Sequence, residues 1–522
     1  MADSAADTIQ LLTDIPRVHA RGRGDHLAVE FEGRGLTYAE LERRSNQAAG
    51  LLQALGVKPG ERVGWLGKSC EAWYEIMFGA AKARACLAPI NSRLAVPEIA
   101  FILKDSGANV FFVTPDFFAA AEAVTAQIDR PIRVLAVNGE HPGFESYATR
   151  RDAAPAPALD APQPDDDVLQ LYTSGTTGLP KGVRLNNANY AAFLALRHQV
   201  EGFDYGPDDT VLIVMPLFHV AGTNISYAGL SAGGRLILMA DFNPVEVLRL
   251  IEQEKVAHVF LAPVMINVLL QTPQAKTTDF SSLKTVSYGA SPISEAVLKQ
   301  ATETFGCGFI QFYGMTETCG AGTTLAPSEH KGELMRSCGR PWATLETRIA
   351  DENGRELPPG GIGEIEIRGP IVMAGYWNRP EATAETIRPD GWLRTGDAGF
   401  MNEDGYFFVH DRVKDMIVSG GENVYPAEVE NAILGCPGVA DAAVIGVPDE
   451  RWGEAVKAIV VPAPGAEPDP EQIIAYARQR IAGFKAPKSI DFIEALPRNP
   501  SGKVLRRELR KPYWEGRDRN VG

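Results

Sequence analysis

Short apolar runs alternate with amphipathic, helix-like stretches from about residue 25 to residue 410, and that alternation constrains the fold more than any other feature of the chain. The runs at 211–214, 236–239, 256–260 and 285–287 read as strands, each followed by a helical stretch. Asn243-Pro244-Val245-Glu246 opens one helix with an N-cap, a first-turn proline and a capping-box glutamate, and Ser291-Pro292 opens another in the same manner. Strand then helix, repeated, predicts an α/β fold in which parallel or mixed sheets are layered between helices. Residues 150–167, rich in Pro, Ala and Asp, read as a linker between subdomains rather than a packed element. Residues 361–369 alternate apolar and polar, a strand with one solvated face. After Asp411 the scale shrinks: a helix near 426–434, a strand at 442–447, a helix at 470–482 and a strand at 489–493 predict a compact α+β unit of about 110 residues. A chain of 522 residues exceeds what one core usually supports, so at least two domains are expected.

Charge and composition narrow the chemistry. The formal net charge of −15 argues against a nucleic-acid partner, because phosphate binding needs a basic field, and weakens any case for strong adhesion to an anionic membrane. The first sixteen residues are acidic and lack the apolar core of a signal peptide. The longest apolar stretches, such as 259–270, fall short of the roughly 18–20 residues of a membrane span. The six cysteines (Cys70, Cys86, Cys307, Cys319, Cys338, Cys436) are scattered without a CxxC pair and read as reduced, mostly buried thiols. A cytoplasmic enzyme is the expectation.

The strongest local signal is Tyr172-Thr173-Ser174-Gly175-Thr176-Thr177-Gly178-Leu179-Pro180-Lys181-Gly182, which leaves a short apolar run and is therefore a loop after a strand. Glycines let the backbone approach a polyphosphate closely, while hydroxyls and one lysine supply donors and charge. The loop is not a Walker A motif, since its spacing is G-x-x-G-x-x-K-G and no Ser or Thr follows the lysine.

This loop resembles the phosphate loop of the adenylate-forming superfamily, which holds acyl-CoA synthetases, luciferases and the adenylation domains of peptide synthetases. Further motifs of that superfamily stand in the same order along the chain: Phe218-His219-Val220-Ala221, Tyr313-Gly314-Met315-Thr316-Glu317, Gly363-Glu364 through Gly375-Tyr376-Trp377, Thr395-Gly396-Asp397, Asp411-Arg412-Val413-Lys414-Asp415 with Gly420-Gly421-Glu422-Asn423, and Pro500-Ser501-Gly502-Lys503. The stretch 411–430 looks most like bacterial fatty-acyl and 4-coumarate-type ligases.

The resemblance implies a large N-terminal adenylation domain over 1–411 and a small mobile domain over 412–522, with a hinge at Lys414. It implies an ATP-dependent carboxylic acid–CoA ligase that first joins the acid to the α-phosphate of ATP, releasing pyrophosphate, and then transfers the acyl group to coenzyme A, releasing AMP. In that scheme Lys503 offsets the negative charge gathering on the α-phosphate, and Glu317 holds magnesium, an ion suited to hard oxygen donors. The scheme also gives His219 a place beside the reacting groups and makes Asp397 the acceptor for the ribose hydroxyls. Arg412 contacts ribose or phosphate. Thr173 to Gly178 and Lys181 hold the phosphates, with Thr177 beside the departing pyrophosphate. Gly289, Ala290 and Ser291 pack on adenine with Tyr313, and Phe312, Gly314, Met315 and Thr316 complete the ATP site. Ser419, Gly420, Gly421 and Glu422 admit the pantetheine thiol after the small domain rotates about Lys414. Partners are then the acid, ATP and coenzyme A. Related enzymes are often homodimers.

Three competing readings fit the motifs less well. Amino-acid-activating relatives place an Asp where this chain has His219, so an ammonium substrate would be left unpaired in a buried site. An acyl-AMP ligase serving a carrier protein would carry an insertion before the hinge, and no surplus sequence stands there. A non-catalytic nucleotide sensor would not need Lys503, Glu317 and Thr177 together. For the acid itself, Gly314 stands where acetate-activating relatives carry a Trp that closes the pocket. That predicts a deeper apolar channel lined by His219, Val220, Asn224, Tyr227 and Ala290, fitting a medium- or long-chain fatty acid first and an aryl or cyclic acid next, with Phe312 narrowing the space.

Overall fold

The computed structural model describes residues 8–173, 179–291, 293–412, 415–419, 422–449, 452–499 and 502–515. The strand runs expected from the sequence form the centre of a nine-stranded sheet. Its order is Arg340–Pro341, Thr323–Leu325, Gly308–Tyr313, Thr285–Gly289, Val256–Leu261, Thr210–Ile213, Arg235–Leu238, Leu27–Phe31, Arg34–Thr37. Strands Leu27–Phe31 through Gly308–Tyr313 in that order are parallel, as crossover helices require. A second, eight-stranded sheet runs Gly375–Tyr376, Lys181–Asn186, Asp167–Thr173, Cys86–Ile90, Arg62–Leu66, Val110–Val113, Arg133–Ala136, Glu145–Ser146. The two share one apolar cluster through the helices Glu71–Lys82 and Val220–Ala232, both buried along almost their whole length. Both are buried on every face, and the polar residues they carry find partners inside, Glu75 with Arg151 and Asn224 with Cys319 O. The Tyr74 hydroxyl donates to Ser226 Oγ at 2.7 Å and pins one helix to the other.

A four-stranded antiparallel sheet, Glu346–Ala350, Gly363–Arg368, Leu393–Met401 and Phe407–Arg412, follows. The small C-terminal unit has its own core around Ile417, Val429, Val444 and Val456. There the strands Val439–Asp449 and Gly453–Pro462 form a long hairpin, flanked by Ile417–Ser419, Glu422–Val424 and Ser489–Phe492. The protein is thus a large α/β domain followed by a small α+β domain. The boundary expected between 411 and 412 falls inside the strand Phe407–Arg412.

Several local expectations are corrected. Asn243 caps the helix Pro244–Gln253 by accepting from the N–H groups of Val245 and Glu246, but Glu246 does not complete a capping box; it pairs with Arg249, one turn on. The helix expected at Ser291-Pro292 begins later, at Glu295, with Ser294 as its cap accepting from Val297 N–H; Pro292 lies outside the described residues. The stretch 150–167 is not an interdomain linker. The strands on either side of it belong to one sheet, and Pro155 O sits where a Cβ on Gly50 would be, so the segment packs closely on the helix Tyr38–Ala54. On the strand Gly363–Arg368 the face expected to be solvated carries Glu366, fully buried and paired with Arg348 and Arg388 at 2.7 and 2.6 Å. The C-terminal strand expected at 442–447 spans Val439–Asp449. The described cysteines form no disulfide. No helix among the described residues is long and apolar enough to cross a membrane.

One buried polar cluster lies at the opposite, amino-terminal end of the parallel strands. His258, 2% exposed, meets Asp209 through Nε2 at 3.1 Å and Thr285 Oγ1 through Nδ1 at 2.7 Å, while the Tyr205 ring stacks on it. Burial pulls its imidazole down to about 4. The unfolded chain therefore binds a proton near pH 6.5 that the folded one refuses until about pH 4. The stability contributed by neutral His258 is complete above pH 6.5 and is lost as the pH falls toward 4, on the order of 3 kcal/mol in all. Urea unfolding of wild type and His258→Gln checks this: wild type is expected to lose more stability between pH 7 and pH 5 than the variant. Parallel losses would remove His258 from the account.

Candidate active site

Site residues gather at the carboxyl ends of the parallel strands, where open α/β sheets place their ligands. In the large sheet three neighbouring strands end together: Phe260 follows from Val256–Leu261, Gly289 and Ala290 from Thr285–Gly289, and Phe312 to Gly314 from Gly308–Tyr313. Gly289 has no room for a side chain, because Phe312 O of the adjacent strand occupies the Cβ position.

Beneath these ends opens a cavity lined by Phe193, Phe203, His219, Val220, Ala221, Asn224, Ile225, Phe260, Ala290, Phe312, Gly314 and Gly320. Its walls are mostly apolar, and the Phe203 ring meets Phe312 at 5.0 Å and Phe193 at 6.0 Å, both edge to face. His219 caps the helix Val220–Ala232: its Nδ1 accepts from Ala221 N–H at 3.2 Å, which leaves the proton on Nε2. Burial lowers the imidazole to about 4, so it is neutral at physiological pH. Asn224 donates through Nδ2 to Cys319 O at 2.6 Å.

Two expectations about this pocket change. Tyr227 does not line the cavity: it is fully buried on the other side of its helix, packed among Trp73, Phe78 and Tyr190. Its helix is buried on every face, so apolar character could not say which face meets the cavity. Gly314 is not simply an absent wall. A Cβ there would lie 2.7–2.8 Å from the backbone of Ala321, so Gly314 is required by a close backbone approach, and Gly314→Trp would displace the chain rather than plug the pocket.

The phosphate loop leaves the strand Asp167–Thr173 and returns as Lys181–Asn186, antiparallel, with Thr173 opposite Lys181. Ser174, Gly175, Thr176, Thr177 and Gly178 lie outside the described residues. Across from this hairpin the turn Thr316–Thr318 carries Glu317, 5% exposed. The Tyr376 hydroxyl donates to Glu317 Oε1 at 2.8 Å, and Thr173 Oγ1 lies 3.4 Å from the same oxygen. Lys181 Nζ sits 4.5 Å from the centroid of the Tyr376 ring. Met315, next to Glu317 in the motif, donates its N–H to Thr318 Oγ1, which closes the turn around Thr316.

A second polar group joins the sheets on the other side. The Tyr313 hydroxyl donates to Asp397 Oδ2 at 2.9 Å, with burial pushing the phenol far above its usual range. Asp397 donates its own N–H to Thr395 Oγ1 and stands opposite Arg412 in the ladder, so the strand register brings those two motifs together. The Arg412 side chain lies outside the described residues.

From the small domain, Lys503 sits in a tight turn. Its N–H donates to Asn499 Oδ1 at 2.8 Å and its carbonyl accepts from Asn499 N–H at 2.8 Å. Gly502, at φ +84°, presses this turn against the large domain: a Cβ there would stand 3.0 Å from Val264 Cγ1, a few residues beyond Phe260. Ser419 is buried in the strand Ile417–Ser419, opposite Glu422. Lys414, Gly420 and Gly421 lie outside the described residues, as does the Glu422 side chain. Ser291 follows Ala290 at the mouth of the same strand ends.

The structure adds Phe193, Phe203, Phe260 and Tyr376, none of which was given a role from the sequence. Phe260 was reachable, since it closes a run already read as a strand. Phe193 and Phe203 come from a helix end and a loop, and nothing local marks them.

The described residues thus set Asp397, Glu317 and Lys181 around the strand ends, beside a mostly apolar cavity. Comparison with known proteins gives the family. The family model described as AMP-binding enzyme matches residues 17–377, and that of the AMP-binding enzyme C-terminal domain matches 428–503. The chain is 42% identical over 518 residues to a fatty acid–[acyl-carrier-protein] ligase, ScoC, of Streptomyces coeruleorubidus, covering 98% of each. It is 43% identical over 488 residues to a feruloyl-CoA synthase of Amycolatopsis sp, covering 93% of this chain and 96% of that one. Among solved structures, ATP-bound MatB from Rhodopseudomonas palustris superposes with a TM-score of 0.86 at 31% identity, covering 95% of this chain and 99% of that one.

Proposed function

This chain belongs to the AMP-binding enzyme family, as an ATP-dependent acid–CoA ligase that forms AMP, and from that premise we propose that its acid is a medium- or long-chain fatty acid activated in the Phe-lined cavity. The observation that carries the reading is the cavity lining itself: mostly apolar, and adjoining Ala290 and Phe312 of the strand ends. An apolar lining with a few polar groups at one end suits an acid with an apolar body. Aryl acids form the second reading, because Phe193, Phe203, Phe260 and Phe312 offer ring edges and faces to an aromatic guest.

In the first step the acid's carboxylate attacks the α-phosphate of ATP and pyrophosphate leaves. Thr173 and Lys181 stand where the loop would hold the β- and γ-phosphates, Asp397 accepts from ribose hydroxyls, and Lys503 lies alongside the α-phosphate. Glu317 fits a magnesium site of the usual kind, in which one buried carboxylate and the substrate's phosphates share the ion. Such an ion, when bound, neutralises phosphate charge. Neutral His219, with its proton on Nε2, can donate a hydrogen bond near the reacting carboxylate but has no charge to offer it. In the second step the small domain, which we take to begin at the end of the strand Phe407–Arg412, turns about Lys414 and the thiol of coenzyme A displaces AMP. A carrier-protein thiol is the competing acceptor, suggested by the name of the Streptomyces relative; adding coenzyme A alone to enzyme, acid and ATP decides it by the appearance of an acyl-CoA.

A screen of acids by AMP release tests the pocket. Each methylene buried contributes roughly 0.8 kcal/mol, so octanoate is expected to exceed acetate by more than about a hundred-fold in kcat/KM. Preference for acetate would overturn the reading.

A further inference from the structure

Tyr376 touches two charged groups that the reaction scheme uses and that the scheme itself leaves unconnected. Its hydroxyl donates to Glu317 Oε1 at 2.8 Å, and its ring lies 4.5 Å from Lys181 Nζ. Lys181 and Glu317 make no ion pair with each other within 4.0 Å. An ammonium and a carboxylate this close to one aromatic ring would ordinarily attract, and a direct pair would cancel the charge that each presents to a phosphate or a cation. The tyrosine keeps them apart by satisfying both: the phenol gives the carboxylate a donor, and the negative face of the ring gives the ammonium a partner.

The surroundings hold Tyr376 in that place. Gly375 and Tyr376 add a short strand to the phosphate-loop hairpin, in register with Arg184 and Val183, and Trp377 N–H donates to Gly182 O at 2.8 Å. Gly375 adopts φ +126°, a conformation that disfavours any side chain, and a Cβ there would meet Thr383 at 3.0 Å. The next residue is fastened harder still. The Trp377 ring lies 3.4 Å from the Arg62 guanidinium carbon, and its Nε1–H donates to Asp105 O. The Asp105 carboxylate takes Arg379 at 2.7 Å and the Tyr172 hydroxyl at 2.9 Å. One aspartate thus clamps the strand entering the phosphate loop to the segment carrying Tyr376.

We propose that Tyr376 is a positioning residue that fixes the Glu317 carboxylate for a divalent cation and holds Lys181 for phosphate while preventing the two from pairing. This rests on the reading of Glu317 as the group that would hold magnesium. Hydrogen-bond partners behind a ligating group tune metal affinity, and removing one typically weakens it 10–100-fold. Tyr376→Phe deletes the donor and keeps the ring over Lys181.

Manganese is a probe with its own signal. Binding of Mn2+ to the enzyme–ATP complex, followed by electron paramagnetic resonance, is measured for wild type, Tyr376→Phe and Glu317→Gln, with the rates of adenylate formation and of thioester formation from pre-made acyl-AMP measured alongside. Tyr376→Phe is expected to weaken Mn2+ binding about 10–100-fold, with its rate loss concentrated in adenylate formation. If Glu317→Gln weakens Mn2+ and Tyr376→Phe does not, the positioning role is wrong while the metal reading stands. If neither weakens it, the metal reading fails and the proposal falls with it. An equal loss in both half-reactions with a lowered melting temperature would make Tyr376 merely structural and would equally overturn the proposal.

Discussion

Lys503→Ala is expected to lower acyl-adenylate formation by about 10²–10³-fold, the scale for removing one preorganised charge donor, while conversion of pre-made acyl-AMP to the thioester proceeds near the wild-type rate. The asymmetry follows from the timing of charge. The carboxylate and the α-phosphate are both anionic when they meet, and negative charge builds on the phosphate oxygens as the bond forms. In the second step that phosphate has already reacted and leaves with AMP. Delivery of the lysine is built into the turn that carries it: Asn499 holds both its N–H and its carbonyl, and Gly502 at φ +84° seats the turn on Val264. Pyrophosphate exchange and thioester formation, assayed separately, check the expectation. Equal losses in both would withdraw Lys503 from the α-phosphate.

Lys414→Pro is expected to do the opposite, sparing pyrophosphate exchange and collapsing acyl-CoA output. Lys414 is outside the described residues, so the expectation stands on its motif and on what surrounds it. The turn of Lys503 rests directly on the large domain beside the cavity. A thiol approaching the same carbonyl needs that turn withdrawn, which requires a rotation in the chain between the end of the strand at Arg412 and the buried Asp415. Proline fixes φ near −65° and removes one of the few soft torsions available there. Gly421→Leu, which fills the expected thiol path, should give the same split. Normal acyl-CoA production by the hinge variant would remove the two-conformation mechanism from this enzyme.

Part of the fold was legible in the sequence because its signals are local. A loop of hydroxyls, glycines and one lysine after a strand can be read from a dozen adjacent residues, and so can the Asn243 cap, where one side chain meets two N–H groups of the next turn. Ser291-Pro292 resembles a helix start, yet the helix opens at Glu295 with Ser294 as its cap, an equally local signal three residues on. Glu246 chose Arg249 over the helix terminus, a competition between two partners equally near in sequence.

The sequence by itself determined the class of chemistry and the order of the elements. Strand-and-helix alternation admits few architectures, and the motifs stand in an order that one superfamily shares. Tertiary structure alone decided the rest. Tyr227 and Asn224 are three residues apart on one helix, yet one is in an aromatic core and the other at the cavity, because both faces of a helix between two sheets are buried and only the packing distinguishes them. Gly314 looked like a missing wall until the Ala321 backbone was found in the space its side chain would need. Tyr376 meets Glu317 and Lys181 across separations of 59 and 195 residues. Such meetings depend on strand register and on the closing of long loops, which no local pattern of residues encodes.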